Sequence, residues 1–180
     1  MVDAARHPNI KVKTFTNVER VEGYVGNFKV QLREKARFVM RERCNGCGDC
    51  ARACPIEIPN DFEMNLAPRK AAYVSMSQSV PLLYTIDEEH CIHCYKCVEA
   101  CGALDAIDFS QQDKVSWEDI GSIVVATGFN HFDPSVMPEY GYSRFPNVIT
   151  AMEMERLNNS AGPTTGNLIR PSDGQNPKRV

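Results

Sequence analysis

Two runs of cysteine carry the chemistry of this sequence. The first is Cys44-Asn-Gly-Cys47-Gly-Asp-Cys50-Ala-Arg-Ala-Cys54-Pro55, and the second is Cys91-Ile-His-Cys94-Tyr-Lys-Cys97-Val-Glu-Ala-Cys101. Both have the spacing C-x2-C-x2-C-x3-C, and together they use all eight cysteines of the 180-residue chain. Thiolates are the ligands of iron–sulfur clusters, and in proteins with two cubanes this spacing sends the fourth cysteine to the cluster of the other run. Three thiolates at such intervals wrap one cubane on a tight loop that cannot easily supply its fourth corner. The helix that follows carries the fourth thiolate away. The expected ligand sets are therefore Cys44, Cys47, Cys50 and Cys101 on one [4Fe–4S] cluster, and Cys91, Cys94, Cys97 and Cys54 on the other.

Other uses of these cysteines fit less well. A four-cysteine zinc site takes two C-x2-C pairs and would leave the third cysteine of each triplet without a role. Disulfides need an oxidising compartment, and nothing in the sequence points to secretion. The second run ends in Cys101-Gly102, where the first ends in Cys54-Pro55. That change loosens the turn after the last ligand without removing the ligand.

The elements that must hold these loops can be read from periodicity. Ile10, Val12 and Thr14 alternate with lysines, and Phe28, Val30 and Leu32 alternate with Lys29, Gln31 and Arg33. With Gly23 and Gly26-Asn27 as turns, residues 10–33 read as a small antiparallel meander, too short to stand without a packing partner. Ala36–Met40 reads as a short strand into the first loop, with a helical turn over Gly48–Ala53. The matching strands around the second run are Tyr84–Ile86 and Ala106–Phe109. The 36 residues between Cys54 and Cys91, with Pro59, Pro68, Pro81 and the apolar Val80–Leu83, read as a loop that covers the clusters or docks the module. After a polar linker, Ser110–Lys114, the run Ile120-Gly-Ser-Ile-Val-Val-Ala-Thr-Gly128 reads as a buried strand ending in a glycine turn. Thr150-Ala-Met-Glu153 fits a capping box that opens a helix to about Leu157, packed through Met152, Met154 and Leu157. Residues 158–180, rich in Gly, Pro, Asn and Ser, read as an extended connector.

Charge and hydropathy exclude several function classes. The net charge of −3 and pI of 5.8 offer no basis for nucleic-acid binding. Charge is nevertheless segregated: residues 29–52 carry seven basic and three acidic side chains, and residues 87–119 carry two basic and nine acidic. This polarity could orient redox partners at each end. No apolar run approaches the ~18–20 residues of a membrane span, and the N-terminus lacks the apolar core of a signal peptide. Eight thiols kept available for iron point to a reducing, low-oxygen cytoplasm. His90 and His93 flank Cys91 but have no corner to fill, so they read as surface or hydrogen-bonding groups. Tyr95 reads as a shield over the second cluster, and Trp117 has no assignable chemistry.

The chain as a whole resembles the A subunit of heterodisulfide reductase. The resemblance rests on Gly23-Tyr-Val-Gly-Asn-Phe28, the two cysteine runs, Ile56-Glu-Ile-Pro-Asn60, Ile86-Asp-Glu-Glu-His90-Cys91, Val124-Val-Ala-Thr-Gly128 and Arg170-Pro-Ser-Asp-Gly174. It implies an α+β fold in which a ferredoxin-like two-[4Fe–4S] module (36–110) is inserted between a β-meander (1–35) and the return strand of an FAD-binding α/β domain (111–180). It places Ala126, Thr127 and Gly128 at the turn beside bound FAD. It also implies electron relay in a flavin-based bifurcating complex of methanogenic, anaerobic type. The partners are other heterodisulfide-reductase-type subunits, a hydrogenase or formate dehydrogenase donor, and ferredoxin.

No Gly-x-Gly-x-x-Gly occurs, so the helix N-terminal cradle for a dinucleotide pyrophosphate is missing. The flavin domain is therefore expected to be incomplete, the chain an internal fragment of a longer polypeptide, and FAD not to bind tightly to it alone. The competing reading is an independent soluble two-cluster carrier.

Overall fold

The computed structural model describes residues 2–179. Its elements run α1 (Val2–Arg6), β1 (Thr16–Tyr24), β2 (Asn27–Glu34), α2 (Asp49–Ala53), β3 (Glu57–Pro59), β4 (Pro68–Lys70), β5 (Ala72–Tyr73), β6 (Thr85–Ile86), α3 (Lys96–Cys101), β7 (Lys114–Ile120) and α4 (Ala151–Asn158). It is a mixed α and β fold with small sheets. Two compact units form: one from residues up to Ile56 with Ala71–Val74 and Gln78–Thr127, the other from Glu57–Lys70, Ser75–Ser77 and residues from Gly128 onward. Among the described residues no helix is long and apolar enough to cross a membrane.

The first unit is built on a three-stranded antiparallel sheet in the order β1-β2-β7. Strands β1 and β2 form a hairpin with Tyr24 opposite Asn27, and a bulge between Val18 and Arg20 shifts the register. Gly23 lies inside this ladder rather than in the turn. Its φ of +95° and the Asn27 carbonyl oxygen, 2.1 Å from where a Cβ would sit, exclude any side chain. Strand β2 pairs with β7 from Phe28↔Ile120 to Glu34↔Lys114. The chain therefore leaves the sheet at Glu34 and returns beside it at Lys114, and both cysteine runs lie in the segment between. Both cysteine runs thus sit in one long excursion between neighbouring strands of the sheet.

Inside that excursion the strands cross over. The segment before the first cysteine run meets the segment after the second, through the bridge Val39↔Ile107. The amide of Met40 donates to the Ala106 carbonyl at 2.6 Å, and that of Asp108 to the Phe38 carbonyl at 3.0 Å. Strand β5, after the first run, pairs with β6, before the second, through Ala72↔Ile86 and Tyr73↔Thr85. Phe38, Val39, Ala72, Leu83, Ile86, Cys97, Ala106 and Ile107 form the core that these pairings enclose.

Two expected strands are absent, and two more, Ala36–Met40 and Ala106–Phe109, are reduced to the single bridge Val39↔Ile107, with no further ladder pair among the described residues to extend it. Residues 10–15 are irregular, because β1 begins at Thr16 opposite the last residue of β2 and the ladder has no partner beyond it. The run Ile120–Gly128 is not a buried strand either. The third strand is Lys114–Ile120, and the apolar residues after it are exposed, Val124 at 90% and Val125 at 76%. The ladder ends where the Gly26 amide donates to the Gly121 carbonyl at 2.8 Å, and no strand among the described residues offers the following run a register.

The second unit contains the β3–β4 hairpin, with Glu57↔Lys70 and Pro59↔Pro68 in register, and helix α4. The capping box of α4 is complete. Thr150 Oγ1 accepts from the Glu153 amide at 3.2 Å, and Glu153 Oε2 accepts from the Thr150 amide at 2.5 Å. Leu157 packs inward and is 3% exposed. Arg156 reaches Glu63, 93 residues earlier, and donates twice to its carboxylate at 2.9 and 3.1 Å. The Arg156 guanidinium also lies 4.8 Å from the centre of the Phe62 ring.

Candidate metal centres

Each cysteine run forms a loop followed by a short helix. In the first, Gly46 and Gly48 take φ of 75° and 83°, and Gly48 opens α2. In the second, the equivalent positions are His93 and Tyr95, with φ of 50° and 57°, and Tyr95 opens α3. Left-handed backbone between the cysteines turns successive thiols toward one side. The helix then carries the last cysteine of each run, at 54 or 101, out of its own loop.

The eight cysteines gather around two cavities. Cys44, Cys47, Cys50 and Cys101 line one, with Val39, Tyr84, Leu104, Ala106 and Ile107. Cys54, Cys91, Cys94 and Cys97 line the other, with Ile56, Ala71, Ala72, Ile86 and Tyr95. All eight are free thiols. Four soft ligands around an otherwise largely apolar hole suit an iron–sulfur cubane, and among the described residues no carboxylate or histidine lines either cavity. The residues fit the group: a cubane would take up one electron at each site, and the chain would supply thiolates, amide donors and a dry wall. Two such donors are in place. The His93 amide lies 3.4 Å from Cys91 Sγ, and the Ala106 amide 3.4 Å from Cys101 Sγ. Hydrogen bonds of this kind to cluster sulfurs tune the reduction potential.

The thiols differ in exposure. Cys47 and Cys94 are exposed, whereas Cys97 is buried. In the metal-free chain burial pushes the Cys50 thiol up to about 12, and burial raises Cys97 as well. A thiolate is unstable in such a place without a cation, so cluster insertion must displace protons.

The two cavities are covered differently. Above the first loop, a Cβ on Gly46 would come within 2.9 Å of the Leu82 side chain, and one on Gly48 within 2.7 Å of the Tyr84 hydroxyl. The second loop carries its own cover: the rings of His93 and Tyr95 lie 5.2 and 5.5 Å from Phe109, and Phe109 stacks on Phe38 at 5.9 Å. The apolar 80–84 segment thus touches the first loop, while Phe38 and Phe109 had no signal in the sequence beyond being aromatic. His90 is exposed and pairs with Asp87 at 3.1 Å, and Trp117 sits on β7, 47% exposed. Ala126, Thr127 and Gly128 lie in exposed irregular chain outside both cavities, with Gly128 at φ 77°.

Residues 43–107 match the family model of the 4Fe-4S dicluster domain. With its eight cysteines in two such groups, the chain is a two-[4Fe–4S] iron–sulfur protein. It is also 49% identical over 180 residues to the iron-sulfur A subunit of CoB–CoM heterodisulfide reductase from Methanocaldococcus jannaschii, a match that covers all of this chain and 27% of that protein. The A subunit of the H(2)/formate:CoB-CoM heterodisulfide,ferredoxin reductase of Methanococcus maripaludis is 51% identical over 180 residues, again covering the whole chain and 27% of that protein. The A subunit of a ferredoxin/F(420)H(2)-dependent CoB-CoM heterodisulfide reductase from Methanosarcina acetivorans is 41% identical, over 100% of this chain and 23% of its own length. Over its entire length the chain is related to a segment of the heterodisulfide reductase A subunit, and it spans about a quarter of the length of these curated relatives.

Proposed function

We propose that this chain is an electron-relay segment of an oxidoreductase of heterodisulfide-reductase type. Its two cubanes are held crosswise, one by Cys44, Cys47, Cys50 and Cys101, the other by Cys91, Cys94, Cys97 and Cys54. The observation that carries this reading is the sharing of cysteines between the cavities. Each is lined by three thiols of one run and the last of the other. Helices α2 and α3 thereby tie the two sites into one rigid body, so neither can shift without the other. Fixed separation and fixed orientation are what a relay requires.

The wider arrangement is the one that the sequence resemblance implies. The excursion 36–110 is a ferredoxin-like module within a flavin-binding domain, to which residues 1–35 and 111–180 contribute. Ala126, Thr127 and Gly128 stand where FAD would lie in the complete protein. The partners are the disulfide-reducing subunits, a hydrogenase or formate dehydrogenase as donor, and ferredoxin, in a bifurcating exchange in the cytoplasm.

Anaerobic reconstitution tests the relay. About eight irons and eight sulfides per chain are expected for two cubanes, and zinc in their place would overturn the reading. Cys101→Ser decides the ligation. It should impair the cluster of Cys44, Cys47 and Cys50; damage confined to the cluster of Cys91, Cys94 and Cys97 would show that each run holds its own. Titration with FAD tests the flavin arm, with submicromolar binding to this chain alone contradicting the need for a separate pyrophosphate cradle.

A further inference from the structure

A polar cavity of about 430 Å³ shares a wall with the first cysteine site, because Val39, 4% exposed, lines both. Its size falls within the roughly 300–1,000 Å³ of small-molecule pockets. Lys13, Lys35, Arg37, Arg41 and Lys114 line it, against the carboxylates of Glu34, Glu42 and Asp108. Those charges are not mutually satisfied. The Asp108 carboxylate accepts from Ser110, through its amide at 2.8 Å and its hydroxyl at 2.6 Å, and Lys13 is paired with Glu118. Among the described residues, Lys35, Arg37, Arg41 and Lys114 have no carboxylate within ion-pairing distance.

Arg37 is the centre of this arrangement. It is partly buried, and its guanidinium donates to Thr14 Oγ1 at 2.6 Å and Thr85 Oγ1 at 3.1 Å while lying 4.7 Å from the centre of the Phe15 ring. These contacts fix the plane of the guanidinium but bring no opposing charge. Two of its five N–H donors are used. Burial penalises the cation and pulls the Arg37 pKa below the usual arginine value, an effect that the nearby but unpaired Glu34 only partly opposes. An anion in the pocket would supply what the chain does not. Planar guanidinium forks favour phosphoryl oxygens, which accept two parallel hydrogen bonds.

We propose that this pocket binds a small phosphoryl-bearing anion, and that its occupancy is coupled through Val39 to the redox state of the first cysteine site. Negative charge one residue away opposes the addition of an electron, so the bound anion lowers the reduction potential there. By linkage, the oxidised protein binds the anion more tightly than the reduced protein. The coupling rests on the relay reading, since it needs a cluster in the first cavity; the binding does not.

Calorimetric titration of the cluster-loaded protein with inorganic pyrophosphate, and separately with ADP, tests the site. Saturable binding is expected, weakened about tenfold by loss of one charge-assisted contact in Arg37→Met or Arg41→Glu. Arg41 is exposed, so its replacement spares folding, and Arg37→Lys should retain part of the affinity. Stronger binding of ADP than of pyrophosphate identifies a nucleotide; equal binding identifies the phosphoryl group alone. Lack of saturable binding by either probe at millimolar concentration, or binding indifferent to both substitutions, overturns the site. Equal affinity before and after reduction overturns the coupling. Iron content of the same sample separates either failure from a failure of the relay reading.

Discussion

Gly46 and His93 occupy the same place in the two cysteine loops, and both are left-handed, with φ of 75° and 50°. The same relation holds for Gly48 and Tyr95, at 83° and 57°. A side chain in this conformation costs roughly 1–2 kcal/mol. The first loop avoids that strain with glycine and also needs glycine, because Leu82 and Tyr84 occupy the space of a Cβ. The second loop accepts the strain and gains a cover from its own rings against Phe109. The backbone repeat is thus preserved while the protective side chains come from different parts of the chain.

Gly48→Ala should therefore cost about 1–2 kcal/mol from backbone strain, with further loss from its contact to the Tyr84 hydroxyl. The effect should fall on the first cluster. Denaturant unfolding gives the stability change, and electron paramagnetic resonance shows which cluster suffers; an undiminished first-cluster signal would mean that Tyr84 moves aside freely.

Phe109→Ala removes the ring that His93, Tyr95 and Phe38 share. Phe109 is only half-buried, so a loss of about 1–2 kcal/mol is expected rather than the ~3–5 of a fully buried phenylalanine. Water and oxygen should then reach the second site more easily. Timed bleaching in air reads this out, and equal lability of both clusters would show that the aromatic group protects neither in particular.

The cysteine runs were legible in the sequence because their chemistry depends on spacing, and so was the Thr150–Glu153 capping box, which depends on four consecutive residues. The sheet was half legible. Alternation located β2, but the β-branched run Ile123–Val125 drew the third strand away from Lys114–Ile120. Local propensity cannot say which run finds a ladder partner; the pairing of Phe28 with Ile120 and the stop at Gly121 decide it. Contacts between distant residues left no local trace. Phe109 over His93, Arg37 between Thr14 and Thr85, and Glu63 against Arg156 all depend on the folded topology.

Thiol reactivity should follow burial in the metal-free protein. Cys47 and Cys94 are expected to alkylate first, and Cys50 and Cys97 last. The pH dependence has a definite sign. Because the Cys50 thiol is raised from 9.0 to about 12 by burial, the folded chain holds its proton while the unfolded chain loses it. This contribution to stability is fully present below about pH 9 and is lost as pH rises toward 12. Mass spectrometry of pulse-labelled protein across that range checks both claims, and early labelling of Cys50 at pH 8 would refute the buried assignment.

The pair Glu63–Arg156 is a two-point ion pair with both side chains nearly buried, at 10% and 8% exposure. Such a pair contributes little over an apolar replacement, yet breaking it from one side strands a charge. Glu63→Gln keeps the shape and removes the buried charge that Arg156 faces, leaving it only the more exposed carboxylate of Glu155. Because Glu155 still faces Arg156 at 3.3 Å, the loss should fall below the ~3–5 kcal/mol of an uncompensated buried ion. It should be local: faster hydrogen exchange along α4, whose capping box alone cannot hold eight residues of helix in water. The Glu63→Met, Arg156→Leu double variant should recover most of that protection, since it leaves neither charge behind. Exchange rates in α4 unchanged by Glu63→Gln would show that Arg156 is satisfied elsewhere, and failure of the double variant to recover would show that the pair also sets the position of the β3–β4 hairpin against α4.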